Sequence, residues 1–169
     1  MFDEITESLE KPASVCLERT RSTVLNVLVV VGAGIAASGW LLGRMDRGAE
    51  LWDPVVAWRI AVGVLISLFA ASWLLIRVGS GRASLHDPAQ RASRFARAHV
   101  AAAIVGGLAV PLGFAYGWAI QPRIEAVSPF WVVALTSGFL ALPRGHELAG
   151  FDSPIPEPDP DHQQTGEPA

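Results

Sequence analysis

Apolar residues in this chain come in four long blocks, not at the two-residue spacing of a half-buried strand or the 3.6-residue spacing of an amphipathic helix. Residues 22–43 lie between Arg21 and Arg44, and residues 98–122 between Arg97 and Arg123. Residues 126–143 lie between Glu125 and Arg144, and residues 54–76 between Asp53 and Arg77, with Arg59 as the single charge inside. In chain order these runs would be about 33, 34, 37 and 27 Å long as helices, against a hydrocarbon core of about 30 Å. Backbone in lipid has no water to bond with, so a spanning segment satisfies its own N–H and C=O groups by forming helix. The pattern predicts an all-α polytopic membrane protein with four transmembrane helices, near 22–43, 54–76, 98–122 and 126–143, arranged as two helical hairpins. Residues 1–21 read as an N-terminal segment and 144–169 as a tail.

The second block inserts despite Arg59. A mid-bilayer Arg costs about 2.5–3.5 kcal/mol, whereas the ten Leu, Ile, Val and Phe residues of 60–76 return roughly 0.3–0.6 kcal/mol each. Arg59 follows Asp53 by six residues, about 9 Å along a helix, so its guanidinium should snorkel to lipid phosphate or meet an acid. Of Glu50, Asp53 and Glu125, Asp53 is expected to cap its own helix. Glu125 is therefore the preferred partner, and an Arg59–Glu125 ion pair would tie the two hairpins together. The first block reads as a retained helix and not a signal peptide. It is longer than an h-region, and its lead-in carries Asp3, Glu4, Glu7, Glu10 and Glu18.

Charge then sets the orientation. Lys11, Arg19, Arg21, Arg77, Arg82, Arg91, Arg94, Arg97 and Arg144 fall on the side of the termini, and only Arg44, Arg47 and Arg123 on the other. The positive-inside rule places both termini in the cytoplasm, in a protein integral to the cytoplasmic (inner) membrane. Trp40, Trp52, Trp58, Trp118 and Trp131 then fall at the outer boundary, where amphipathic rings favour the headgroup zone, and Trp73 toward the inner one.

The ends and connections are polar. Phe2, Ile5 and Leu9 have helical spacing up to Pro12, which predicts a short interfacial helix stopped there. The tail, with Pro154, Pro156, Pro158, Pro160 and the acids Glu157, Asp159, Asp161 and Glu167, reads as extended, acidic and disordered. Gly79, Ser80 and Gly81 form a turn, and Asp87-Pro88 starts a helix that runs into the third span. Arg91, Arg94 and Arg97 on that helix share a face suited to anionic lipid. Asp53-Pro54 matches Ser128-Pro129, Gly63 matches Gly138, and Gly39-Trp40 matches Gly117-Trp118, which would fit a duplicated hairpin. The preferred reading is plainer, because membrane hairpins in general share Pro starts, glycines and Trp belts.

Small residues at four-residue spacing mark candidate helix-packing faces: Gly39 with Gly43, Gly63 with Ser67 and Ala71, Ala102 with Gly106, and Gly113 with Gly117. Pro111, near the middle of the third span, removes the N–H that would meet the Gly107 carbonyl. Gly107 and Pro111 are thus a candidate hinge.

Composition supports a membrane chain and offers little chemistry. Hydrophobic residues make up 51% of the 169, and charged residues 17%, below the roughly 25% of a soluble domain. With 13 basic and 16 acidic residues the net charge is −3, too balanced for nucleic-acid binding. Cys16 is the single cysteine, so no internal disulfide forms. His99 stands at the mouth of the third span with His86 and His146 on the same side. Two facing histidines would suit a haem or metal, but no His-x-x-x-His pair exists and no carboxylate falls within a span. Hydroxyls at Ser38, Ser67, Ser72, Thr136 and Ser137 have no base at their depth. No catalytic triad, phosphate loop or dinucleotide fingerprint is present. No catalytic, cofactor-binding or metal residue is therefore expected. The expected function is that of a non-enzymatic accessory or scaffold subunit that packs in the lipid bilayer with itself or with a larger membrane complex. The alternatives are a small transporter or channel and, third, a haem- or metal-binding anchor.

Overall fold

The computed structural model describes residues 2–45, 51–80 and 88–144, the side chains of 2–14 and a few others excepted. All five elements among them are helices: α1 (Phe2–Leu42), α2 (Pro54–Ser80), α3 (Pro88–Gly107), α4 (Ala109–Ala119) and α5 (Ile124–Leu140). Three stretches are long and apolar enough to cross a membrane: Val15–Leu42, Pro54–Gly79 and Ala92–Ala119. The last of these joins α3 to α4 across Leu108. The fourth apolar helix, α5, has 17 residues and is about 26 Å long. The expected acidic tail, His86, Asp87 and His146 lie outside the described residues.

Local chemistry explains where the helices start and where they differ from expectation. Asp53 caps α2, its Oδ1 accepting from the backbone N–H of Val55 at 2.8 Å and Val56 at 3.2 Å. Pro54 follows at the first helical position, where a missing N–H costs nothing. α3 is described from Pro88 onward, and the expected cap Asp87 lies outside the described residues. Pro12 does not end a separate interfacial helix. α1 runs through it without a break.

α5 departs from the expected start at Ser128-Pro129. It begins at Ile124, four residues before Ser128, with Arg123 extended at φ −102° and ψ 130° and Pro129 inside the helix. Pro129 has no N–H for the Glu125 carbonyl, and the Ser128 hydroxyl donates to that carbonyl at 3.1 Å instead. The likeness between Asp53-Pro54 and Ser128-Pro129 is thus one of sequence only.

α3/α4 and α5 pack along each other at the centre of the bundle. α1 and α2 make almost no contact with each other and lie against that central pair, so the first expected hairpin does not close on itself. Each has a single inward stripe: Thr20, Val24, Val31, Ser38 and Leu42 on α1, and Ala57, Ala61, Leu65 and Ser72 on α2. Helices with one such stripe pack on one neighbouring surface and leave the rest outward. Val31, Ala61, Leu65, Ala109, Val110, Phe130 and Ala134 form the main buried cluster, and Val24, Ala102, Ala103 and Ala141 a second.

The two ends of the bundle are tied separately. At one end the Cys16 thiol meets the Ala92 carbonyl at 3.7 Å, Gly79 lies against Ala98, and His99 reaches Ala141. At the other the Leu51 N–H donates to the Ala119 carbonyl at 3.1 Å, and Gly117 sits between Leu42 and Val127. The Arg44 guanidinium stacks 4.1 Å from the Trp40 ring centre, and Arg77 lies 5.0 Å from that of Trp73.

Candidate functional site

Among the described residues, no three or more His, Cys, Asp or Glu side chains gather as metal ligands would. The bundle offers instead a closed centre and a lateral cleft.

The centre is where α2, α3 and α5 meet. Gly106 of α3 lies directly against Ser137 of α5, whose Oγ is 3.0 Å from where a methyl at 106 would be, with the Ser72 Oγ of α2 at 3.5 Å. Ser72 and Ser137 are buried. The Ser72 hydroxyl donates to the Ala102 carbonyl at 3.1 Å, while the Ser137 Oγ has no partner. Below them Gly113 lies against Phe130, its missing side chain's place 2.7 Å from the Phe130 Cβ. These glycines let backbones approach to the distance at which even one added methyl collides.

The cleft runs between α1 and α3/α4. Its main part, about 690 Å³, is lined by Val27, Val30 and Ala37 on one wall and Ile104, Leu108 and Pro111 on the other. Its floor is shut by Val31 against Gly107 and Gly34 against Val110. The helix interruption falls here. The Leu108 N–H is shared between the Ile104 and Val105 carbonyls at 3.1 and 3.3 Å, and Pro111 has no N–H for Gly107. Toward the end where α1 and α3 are tied, the cleft continues into a mouth of about 400 Å³, apolar over most of its wall, whose lining includes Arg19 and Arg97.

The small residues singled out in the sequence divide into two groups. Gly113 and Gly117 are buried in contacts with α5 and α1, and Gly39 meets the Trp131 ring at 3.3 Å. Gly43 faces only its own helix, and nothing stands within 4 Å of the place a Gly63 side chain would take. Ser67 and Ala71 are exposed beside Gly63, with the Ser67 hydroxyl donating to the Gly63 carbonyl at 2.8 Å. The Gly63–Ser67–Ala71 stripe thus faces away from the bundle.

Arg59 and Glu125 are brought to the same end of the molecule, both exposed, and no ion pair joins them. His99 is fully buried, stacked 4.2 Å from the Phe95 ring. Its Nδ1 lies 2.8 Å from the Ala141 carbonyl. A carbonyl only accepts, so Nδ1 carries the proton and ties α3 to the end of α5. Trp131 is half-buried against Gly39, with its indole N–H unpartnered, and is not a fully exposed belt residue.

Sequence reasoning missed two pairings. Gly106 was legible as a small residue but its facing Ser137 was not, because spacing reports one helix and not its neighbour. Arg19 and Arg97 lie 78 positions apart, and only the packing of α1 on α3 brings them to one mouth. No protein-family model, curated protein or solved structure matches the chain.

Proposed function

We propose that the protein is a multi-pass, non-enzymatic accessory or scaffold subunit of the cytoplasmic membrane that works by packing against a second copy or a larger membrane complex. The observation that carries this reading is the closed centre: Gly106, Ser72 and Ser137 touch, which leaves no room for a solute between α2, α3 and α5. The cleft at Pro111 speaks the same way. Its wall is almost wholly apolar and it opens sideways, whereas a path for a polar solute needs polar lining through the bundle.

α5 serves as the fourth span, its shortfall of about 4 Å met by slight bilayer thinning. Both termini then lie on the side of Arg19, Arg21, Arg77, Arg94 and Arg97, the cytoplasmic side by charge. The face offered to partners is the outward stripe of α2, where Gly63, Ser67 and Ala71 allow another helix close approach.

Affinity purification of the full chain from native membrane in mild detergent tests the proposal. A species with a constant ratio of chains, either a homo-oligomer or a complex with one recurring partner, is expected, and Gly63→Leu should disperse it. A lone chain that carries a solute flux in proteoliposomes would overturn it in favour of transport.

A further inference from the structure

We propose that the cleft between α1 and α3/α4 binds one anionic phospholipid, its phosphate between Arg19 and Arg97 and an acyl chain in the trough below. Three features of the cleft lead there. First, its two parts adjoin, because Thr23 and Ile104 line both the mouth that carries Arg19 and Arg97 and the apolar trough. A basic head end joined to a greasy channel is the polarity of a phospholipid.

Second, the charge is complementary. Arg19 and Arg97 come from different helices, are both exposed at the mouth, and neither is joined to an acidic side chain among the described residues. Two guanidiniums offer paired donors to phosphate oxygens. The threonine hydroxyls of the mouth are bonded back to their own helix, Thr20 donating to the Cys16 carbonyl at 2.7 Å and Thr23 to the Arg19 carbonyl at 2.9 Å. The arginines are therefore the groups left to hold an anion. One turn deeper on α1, the chain's single asparagine, Asn26, lines the trough at the level where ester carbonyls follow a phosphate.

Third, the shape suits an extended chain. α1 lines the trough from Thr23 to Leu41, about 27 Å along the helix axis. Its 690 Å³ spread over that length makes it a long, narrow trough, the shape an extended acyl chain fills. One leaflet's hydrocarbon is about 15 Å deep, so an acyl chain reaches from Thr23 to the level of Gly34. There the break at Leu108 turns Leu108 and Pro111 toward the trough.

Native mass spectrometry of the full chain in detergent tests the site, with phosphatidylglycerol and phosphatidylcholine of identical acyl chains added in parallel. The expected result is one phosphatidylglycerol retained per chain, at least about tenfold above phosphatidylcholine. Arg19→Gln with Arg97→Gln should abolish that preference, and Arg123→Gln at the opposite end should leave it intact. Val30→Trp, at a position 71% exposed on the trough wall, should reduce retention of the lipid with both arginines present. If the double variant does not fold, a rise in salt on the unaltered chain reads the same charge dependence. Equal retention of the two lipids, unchanged retention after Val30→Trp, or displacement by inorganic phosphate would each overturn the proposal. The last of these would show a free-anion site without an acyl seat.

Discussion

Ser137 of α5 lies against the backbone of Gly106 in α3 so closely that a methyl at position 106 would fall on the serine Cβ. Neither partner can give way easily. Ser137 is on a helix packed along α3 and α4, and Ser72 closes the third side with its hydroxyl bound to Ala102. Gly106→Ala should destabilise the bundle by about 1–3 kcal/mol, the usual cost of overpacking. Thermal unfolding in detergent measures it. A neutral result would mean that the centre is looser than described.

Gly63→Ala is the matched control, because nothing stands within 4 Å of the added carbon. Its effect on unfolding of the isolated chain should stay within about 0.5 kcal/mol, as for ordinary surface changes. Gly113→Ala, which meets the Phe130 Cβ, should behave like Gly106→Ala. Gly117→Ala should cost less, because the atoms it meets are the ends of the Leu42 and Val127 side chains. The order of the four unfolding midpoints checks the packing residue by residue.

His99 holds the end of α5 through a hydrogen bond to a buried carbonyl. His99→Phe keeps the ring beside Phe95 but leaves the Ala141 oxygen without that donor. A loss of about 1–3 kcal/mol is expected, the cost of an unmet buried acceptor. Exchange measurements on the α5 backbone should show the change concentrated toward its C-terminal end.

Arg59 and Glu125 were the sequence's candidates for a tie between hairpins, and they stand at one end of the molecule without pairing. Arg59→Gln and Glu125→Gln should therefore have effects that add within about 0.3–0.5 kcal/mol in a double-mutant cycle. A coupling well above that would mean the two side chains meet in the bilayer. Arg59, exposed on α2 near its start, is free to snorkel to the headgroups.

What could be read in the chain was what depends on one helix at a time. The long apolar runs mark the three long membrane-length stretches because lipid requires both length and composition. Asp53-Pro54 marks the start of α2 because a carboxylate and a missing N–H both suit a first turn. The same signal misplaced the start of α5 at Ser128-Pro129, because Ser128 bonds backward to Glu125 and so lets the helix pass through Pro129. What could not be read was which faces meet. Gly63 and Gly106 carry equal signals in sequence, yet one faces outward and the other touches Ser137. Likewise, the basic mouth joins Arg19 to Arg97 only through the packing of α1 on α3.

Membrane crossing, and its direction, underlies everything else, and single-cysteine labelling in intact cells tests it most directly. In a Cys16→Ser background, cysteines would be placed one at a time at Leu51, Ser93, Ile124 and Arg144, all exposed positions near helix ends. An impermeant maleimide should label positions 51 and 124 from outside, and 93 and 144 only after the membrane is opened. The reverse pattern would contradict the orientation. Labelling of positions 124 and 144 from the same side would contradict α5 as a fourth span, and equal labelling of all four would contradict a membrane bundle altogether.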